Sequence, residues 1–198
     1  MLEEIRPGLL RWTAAHPGWR PGAAPGSPAD WPEEVGSVAY EAHDAFVLVD
    51  PLVPDELWPV LDERIRGHGR RVAVLTTVGW HRRSREAVVE RYGASTSRAR
   101  RTLPQGVETI TIRGAGETVV WLPEHGALLP GDRILGDGAG SLRLCPESWL
   151  RYLGITVDGL KEALRPLLDL PVELVLTSHG EPVLESGRAA LEGALRRP

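Results

Sequence analysis

The spacing of apolar positions changes period several times along the chain. Residues 35–42 alternate, His43 and Asp44 break the run, and Ala45-Phe-Val-Leu-Val-Asp50 is continuously apolar up to its last residue. This pattern predicts a β-hairpin whose second strand is buried. Residues 55–67 place Leu57, Val60, Leu61 and Ile65 on one face, the stripe of an amphipathic helix, and Gly67 and Gly69 close it. Residues 71–76 predict a short buried strand. The polar loop 77–81 leads into a second helix that Gly93 ends near Tyr92. Three more strands are predicted over 107–112, 117–122 and 127–129, then a Gly/Asp-rich loop over 131–141. Helices are expected over 146–153 and 157–168, a strand over 172–176, and a last helix from about Glu185. Strands come in pairs and also alternate with helices, so helix-covered, partly antiparallel sheets are expected.

Residues 1–34 lack such periodicity and are rich in Pro, Gly and Trp. They predict an extended arm packed on a single domain formed by the rest of the 198 residues. Trp12, Trp19 and Trp31 are its expected anchors, because indoles bring large apolar area. No stretch approaches the ~18 apolar residues of a membrane span. The acidic start MLEEIRPGLLRW does not resemble a secretory signal. One cysteine, Cys145, excludes an internal disulfide framework, and the expected compartment is the cytoplasm. Cys145 reads as a buried small side chain, and His43 and His125 read as solvated turn residues.

Charge modifies this picture. The chain carries 22 Arg but only one Lys, Lys161, and no Asn, the composition of a GC-rich source. Eleven of the Arg fall in residues 64–101, opposed there only by Glu86 and Glu90, so that segment is +9 while the remainder is −13. Two expectations compete: surface helices paired with acids from elsewhere, or an anion-binding face. Nucleic acid is not the expected partner, because only Trp80 and Tyr92 interleave the basic residues.

Three loops follow buried strands and carry polar side chains: Thr76-Thr-Val-Gly-Trp-His81-Arg82, Pro130-Gly-Asp132-Arg133 and Thr177-Ser-His179-Gly-Glu-Pro182. Imidazole nitrogen and carboxylate oxygen are donors for Zn, Fe or Mn. His81, Asp132 and His179 are therefore candidate ligands of one ion, which would activate a bound water. Spacing alone does not show that the loops converge.

The order of these pieces resembles the metallo-β-lactamase superfamily over residues 35–183. The resemblance rests on the strand ending at Asp50, the strand 72–76 with its loop, "ETVVWLPEHGALLPGD" at 117–132, and "LVLTSHGEPV" at 174–183. It implies a four-layer αββα sandwich with a metal site at one edge. It also implies a pocket at Thr77, Gly79, His81, Arg82, Asp132 and His179. The family motif H-x-H-x-D-H falls on residues 77–82, where Thr77 and Gly79 stand for its first two His, His81 for its Asp and Arg82 for its last His. A further family His would fall near Gly114. Only Asp132 and His179 keep family positions, with His81 as a substitute ligand. Arg82 at the last His puts a fixed positive charge where a cation would sit, and a pairing of Arg82 with Asp132 is expected to take the ion's place. The expected function is thus a hydrolase-like fold with most ligands lost, metal-poor and non-catalytic, binding a small anionic molecule near Arg82, Arg83 and Arg85. The alternatives are an active hydrolase of an ester, thioester, lactone or phosphoester with one Zn or Fe ion, and anion or nucleic-acid binding through residues 64–101.

Overall fold

A computed structural model describes residues 1–96 and 103–197. Arg98, Arg100 and Arg101 of the basic segment lie outside the described residues. The elements run β1 (Glu3–Arg6), β2 (Leu9–Ala15), β3 (Glu34–Ala42), β4 (Ala45–Val49), α1 (Trp58–His68), β5 (Arg71–Leu75), α2 (Arg85–Tyr92) and β6 (Ser95–Thr96). They continue with β7 (Glu108–Ile112), β8 (Glu117–Leu122), β9 (Ala127–Leu129), β10 (Ile134–Gly136), β11 (Leu142–Leu144), α3 (Val157–Leu164), β12 (Leu174–Val175) and α4 (Gly187–Arg196). One sheet has the order β1-β2-β3-β4-β5-β6, a second β12-β9-β8-β7, and β10-β11 forms a separate ribbon.

Strand alternation builds the layers. In β4, Ala45, Val47 and Val49 face the second sheet, meeting Val120 and Leu122 of β8. Phe46 and Leu48 face the other way, onto Leu61 and Ile65 of α1 and Val88 of α2. On the far side Val119 and Trp121 pack under Leu160 and Leu164 of α3 and Leu191 and Ala194 of α4. The layers are therefore helix, sheet, sheet, helix. Strands β4 and β5, apolar on both faces, pair in parallel, as do β9 and β12.

Four expectations are corrected. Residues 3–15 are not an arm over the domain: β2 pairs with β3 along its whole length and is buried, because its Leu9, Leu10 and Trp12 enter the cores on both faces. Residues 134–136, within the expected loop 131–141, form a strand that pairs with 142–144 just beyond it. The helix expected over 146–153 is two short 3-10 turns, Glu147–Trp149 and Arg151–Leu153, ended by Gly154 at φ 69°. His125 is buried, its ring edge-on to Tyr40. Part of the basic segment is neutralised where described: Arg64 pairs with Glu41, Arg71 with Asp44 and Arg91 with Asp62.

Candidate functional site

The two parallel strand pairs end at one edge of the sandwich, and each end supplies a polar group. Such carboxyl-end crevices are where parallel strands place ligand sites. Asp50 follows β4, His81 follows β5, Asp132 follows β9 and His179 follows β12. The sheets are stitched together here: Gly36 N–H donates to Ser178 O at 2.8 Å, and Thr118 N–H to Thr77 O at 2.8 Å.

Asp50 organises the loop after β5. Its backbone is left-handed, φ 46°, unusual for a residue other than glycine. In that conformation its carboxylate accepts from Thr77 N at 2.9 Å, from the Thr77 hydroxyl, and from His81 Nδ1 at 2.9 Å. This fixes the orientation of the His81 ring and leaves Nε2 facing the site.

Glu117, at the start of β8, organises the loop after β9. It is 2% exposed and accepts three backbone N–H bonds, from Gly131 (3.1 Å), Asp132 (2.7 Å) and Arg133 (2.9 Å). Gly131 is required by close approach, since a Cβ there would lie 2.6 Å from Thr77 Oγ1. On the third loop the carbonyl of His179 accepts from Gly136 N at 2.9 Å, which docks the β10 end against it.

His81, Asp132 and His179 are buried, and each offers a ligand atom within 4.8 Å of the others. Asp132 Oδ1 lies 3.0 Å from His81 Nε2 and 3.3 Å from His179 Nε2. Yet that oxygen has no hydrogen bond of acceptable geometry among the described residues, and His179 Nδ1 is unpartnered as well. The other oxygen, Oδ2, accepts from Trp80 Nε1 at 2.7 Å. Burial opposes a charge on His81, but Asp50 and Asp132 outweigh it and raise its pKa to about 9. Burial would raise Asp132, yet the two imidazoles hold it well below the ordinary carboxylate value. Burial pushes His179 down.

The cluster forms the floor of a pocket of about 530 Å³. Trp31, Trp80, Trp149 and Tyr152 wall it, with His16, Arg83 and Arg133 contributing. Trp80 and Tyr152 meet edge-on at 5.9 Å at an exposed rim. The buried guanidinium of Arg133 lies 5.8 Å from the Trp80 ring and donates to Ala115 O and Tyr152 Oη.

The six residues expected in the pocket separate. His81, Asp132 and His179 come together, and Thr77 is buried beside Asp50, outside the pocket wall. Gly79 is exposed and borders a different depression, of about 260 Å³. Arg82 is exposed and makes no pair with Asp132, so the expected Arg82–Asp132 contact is corrected: Trp80 occupies that carboxylate instead. The pocket arginine is Arg83, whose left-handed backbone, φ 42°, turns Nη1 onto the carbonyls of Gly36 and Asp50. Of Arg82, Arg83 and Arg85, only Arg83 lines the pocket. Sequence reasoning missed Glu117, although a lone carboxylate opening the apolar run ETVVWL was its signal. It also missed Trp80, Arg133 and the walls supplied by residues 16–31, which no local pattern marks.

Two imidazoles and one carboxylate are a donor set that fits a single Zn or Fe ion, and their donor atoms lie within 4.8 Å of one another. A second ion does not fit, since Thr77 and Gly79 bring no imidazole. No family model matches the sequence, and no curated protein matches it. Solved structures do match nearly end to end. The DIM-1 metallo-β-lactamase is 15% identical, with a TM-score of 0.61 over 98% of this chain and 97% of that one. A metallo-β-lactamase from Hirschia baltica is 16% identical, with a TM-score of 0.61 over 98% and 95%. The FIM-1 metallo-β-lactamase from Pseudomonas aeruginosa, in a mono-zinc form, is 16% identical, with a TM-score of 0.59 over 100% and 96%.

Proposed function

From a chain with the metallo-β-lactamase fold, we propose a hydrolase that works with one divalent metal ion held by His81, Asp132 and His179. The observation that carries this reading is the buried Asp132 Oδ1, which lies 3.0 and 3.3 Å from the Nε2 atoms of His81 and His179, all three donor atoms within reach of one ion. Because His81 Nδ1 is engaged by Asp50, a neutral His81 directs an Nε2 lone pair toward that oxygen. Two lone pairs facing each other are bridged by a cation, either a metal ion or a proton. When bound, the metal supplies an activated water and a Lewis acid for a carbonyl.

The chain's own residues do the rest. Asp50 holds the His81 ring, as carboxylates behind metal-binding imidazoles do. The Trp80 indole takes Asp132 Oδ2 and leaves Oδ1 for the ion. The aromatic walls exclude bulk water from the floor. An ester or thioester fits this chemistry: water adds across the acyl bond, giving an acid and an alcohol or thiol.

Purified protein loaded with Zn(II) or Fe(II), and then dialysed, is expected to retain close to one ion per chain and to lose it in His179→Ala. No retained metal in the wild type overturns the proposal. That result would favour a second reading, a metal-free member in which a proton on His81, whose pKa is raised to about 9, takes the cation's place.

A further inference from the structure

The loop between β2 and β3 completes the pocket, although it is remote from the cluster in sequence. Trp149 Nε1 donates to Ser27 O at 3.0 Å and the Ser148 hydroxyl to Gly26 O at 2.5 Å, so the loop is fastened to the 3-10 turn after β11. Trp19 Nε1 donates to Trp31 O at 2.9 Å, which fixes the loop's return. As a result the Trp31 and Trp149 rings stand edge-on to His179, at 5.8 and 6.0 Å. Two indole walls are thereby positioned before any ligand arrives.

The loop also brings His16. Its Nδ1 accepts from Gly18 N at 3.1 Å, so in the neutral ring the proton is on Nε2. The ring meets Trp31 edge-on at 5.0 Å and borders the pocket. Burial, reinforced by Arg83, lowers its pKa and favours the neutral ring. A fixed neutral N–H donor beside apolar walls suits a carbonyl oxygen.

Charge narrows the ligand. Aromatic walls can hold a quaternary cation, but the guanidinium groups of Arg83 and Arg133 border the pocket and repel one here. Of the two guanidinium groups at the pocket, Arg133 is spent on Ala115 O and Tyr152, whereas Arg83 gives Nη1 to two backbone carbonyls and keeps a buried Nε without a partner among the described residues. We propose that the pocket recognises an aryl-acyl compound, its ring between Trp31 and Trp149 and its carbonyl oxygen accepting from His16 Nε2–H. This names the substrate class of the hydrolase reading and rests on that reading for turnover, but not for binding.

Binding is therefore tested by calorimetry on EDTA-treated full-length protein, with naphthylacetamide as the probe. Saturable binding is expected, roughly tenfold tighter than that of cyclohexylacetamide, from aromatic pairing beyond area burial. His16→Ala should weaken naphthylacetamide by about two- to tenfold, one hydrogen bond, and leave ethylnaphthalene, which has no carbonyl, unchanged. A collapse of the loop would weaken both ligands, so equal losses overturn the His16 assignment. Trp31→Leu, with its fold checked by circular dichroism, should weaken both probes. Absence of saturable binding, or equal or tighter binding of cyclohexylacetamide or phenyltrimethylammonium, overturns the proposal. Retained metal with no aryl preference sinks this inference alone, whereas aryl binding without metal retention sinks only the hydrolase reading.

Discussion

Glu117 ties the metal-site geometry to stability in a way that can be measured without any substrate. It is fully buried, and burial together with the charge of Asp132 raises its carboxyl to about 7, against the pull of the Asp132 and Gly131 amides and of Arg133. The unfolded chain ionises it near 4.5. Between those values the folded state binds more protons than the unfolded state, so this group's contribution to stability falls as pH rises from 4.5 to 7. At 1.36 kcal/mol per pKa unit the loss is roughly 3 kcal/mol, a large share of the 5–15 kcal/mol that holds a typical domain together. Glu117→Gln keeps the shape but cannot ionise. Urea unfolding of both proteins at several pH values isolates the effect, since groups elsewhere cancel in the difference. Relative to Glu117→Gln, the wild type should lose roughly 3 kcal/mol between pH 4.5 and 7.5. A difference that stays flat within about 0.5 kcal/mol over that range refutes the reasoning. It would mean that the three amides stabilise the carboxylate enough to cancel its burial.

Other perturbations follow from the same contacts. Glu117→Ala strands three buried amides and should cost about 3–6 kcal/mol at any pH, read as a drop in the urea midpoint. Gly131→Ala places a methyl 2.6 Å from Thr77 Oγ1 and should destabilise by roughly 1–3 kcal/mol, again by urea unfolding. Asp50→Asn weakens the hold on His81 Nδ1 and should lower metal affinity about 10–100-fold in a competition titration, more than it lowers the urea midpoint. The Cys145 thiol is buried and pushed up to about 11, so iodoacetamide at pH 8 should leave it unmodified in the folded protein and modify it after denaturation, as mass spectrometry will show.

Much of the fold was legible because apolar periodicity is a local signal. The hairpin at 35–49, the parallel strand β5 and the β7-β8-β9 run all follow from it, and their order carried the resemblance. What stayed hidden depends on contacts distant in sequence. Residues 3–15 looked aperiodic because Leu9 and Leu10 face different cores, so burial on both faces erased the alternation. His81, Asp132 and His179 could be named as candidates, but only the pairing of β4 with β5 and of β9 with β12 brings their loops to one edge.

The contrast between Arg82 and Arg83 shows where motif alignment loses its physical content. Counting along the family motif assigns the last ligand position to Arg82 and so argues for a blocked site. The backbone decides otherwise, because left-handed Arg83 sends its guanidinium onto Gly36 O and Asp50 O while Arg82 faces solvent. Arg83 thereby neutralises part of the charge of Asp50 without reaching Asp132, whose partners are two imidazoles and an indole. One arginine of the cationic segment, Arg83, instead braces the backbone of Asp50, the residue behind His81. On the proposed reading, Asp132 Oδ1 is then left to the cation that His81 and His179 would share with it.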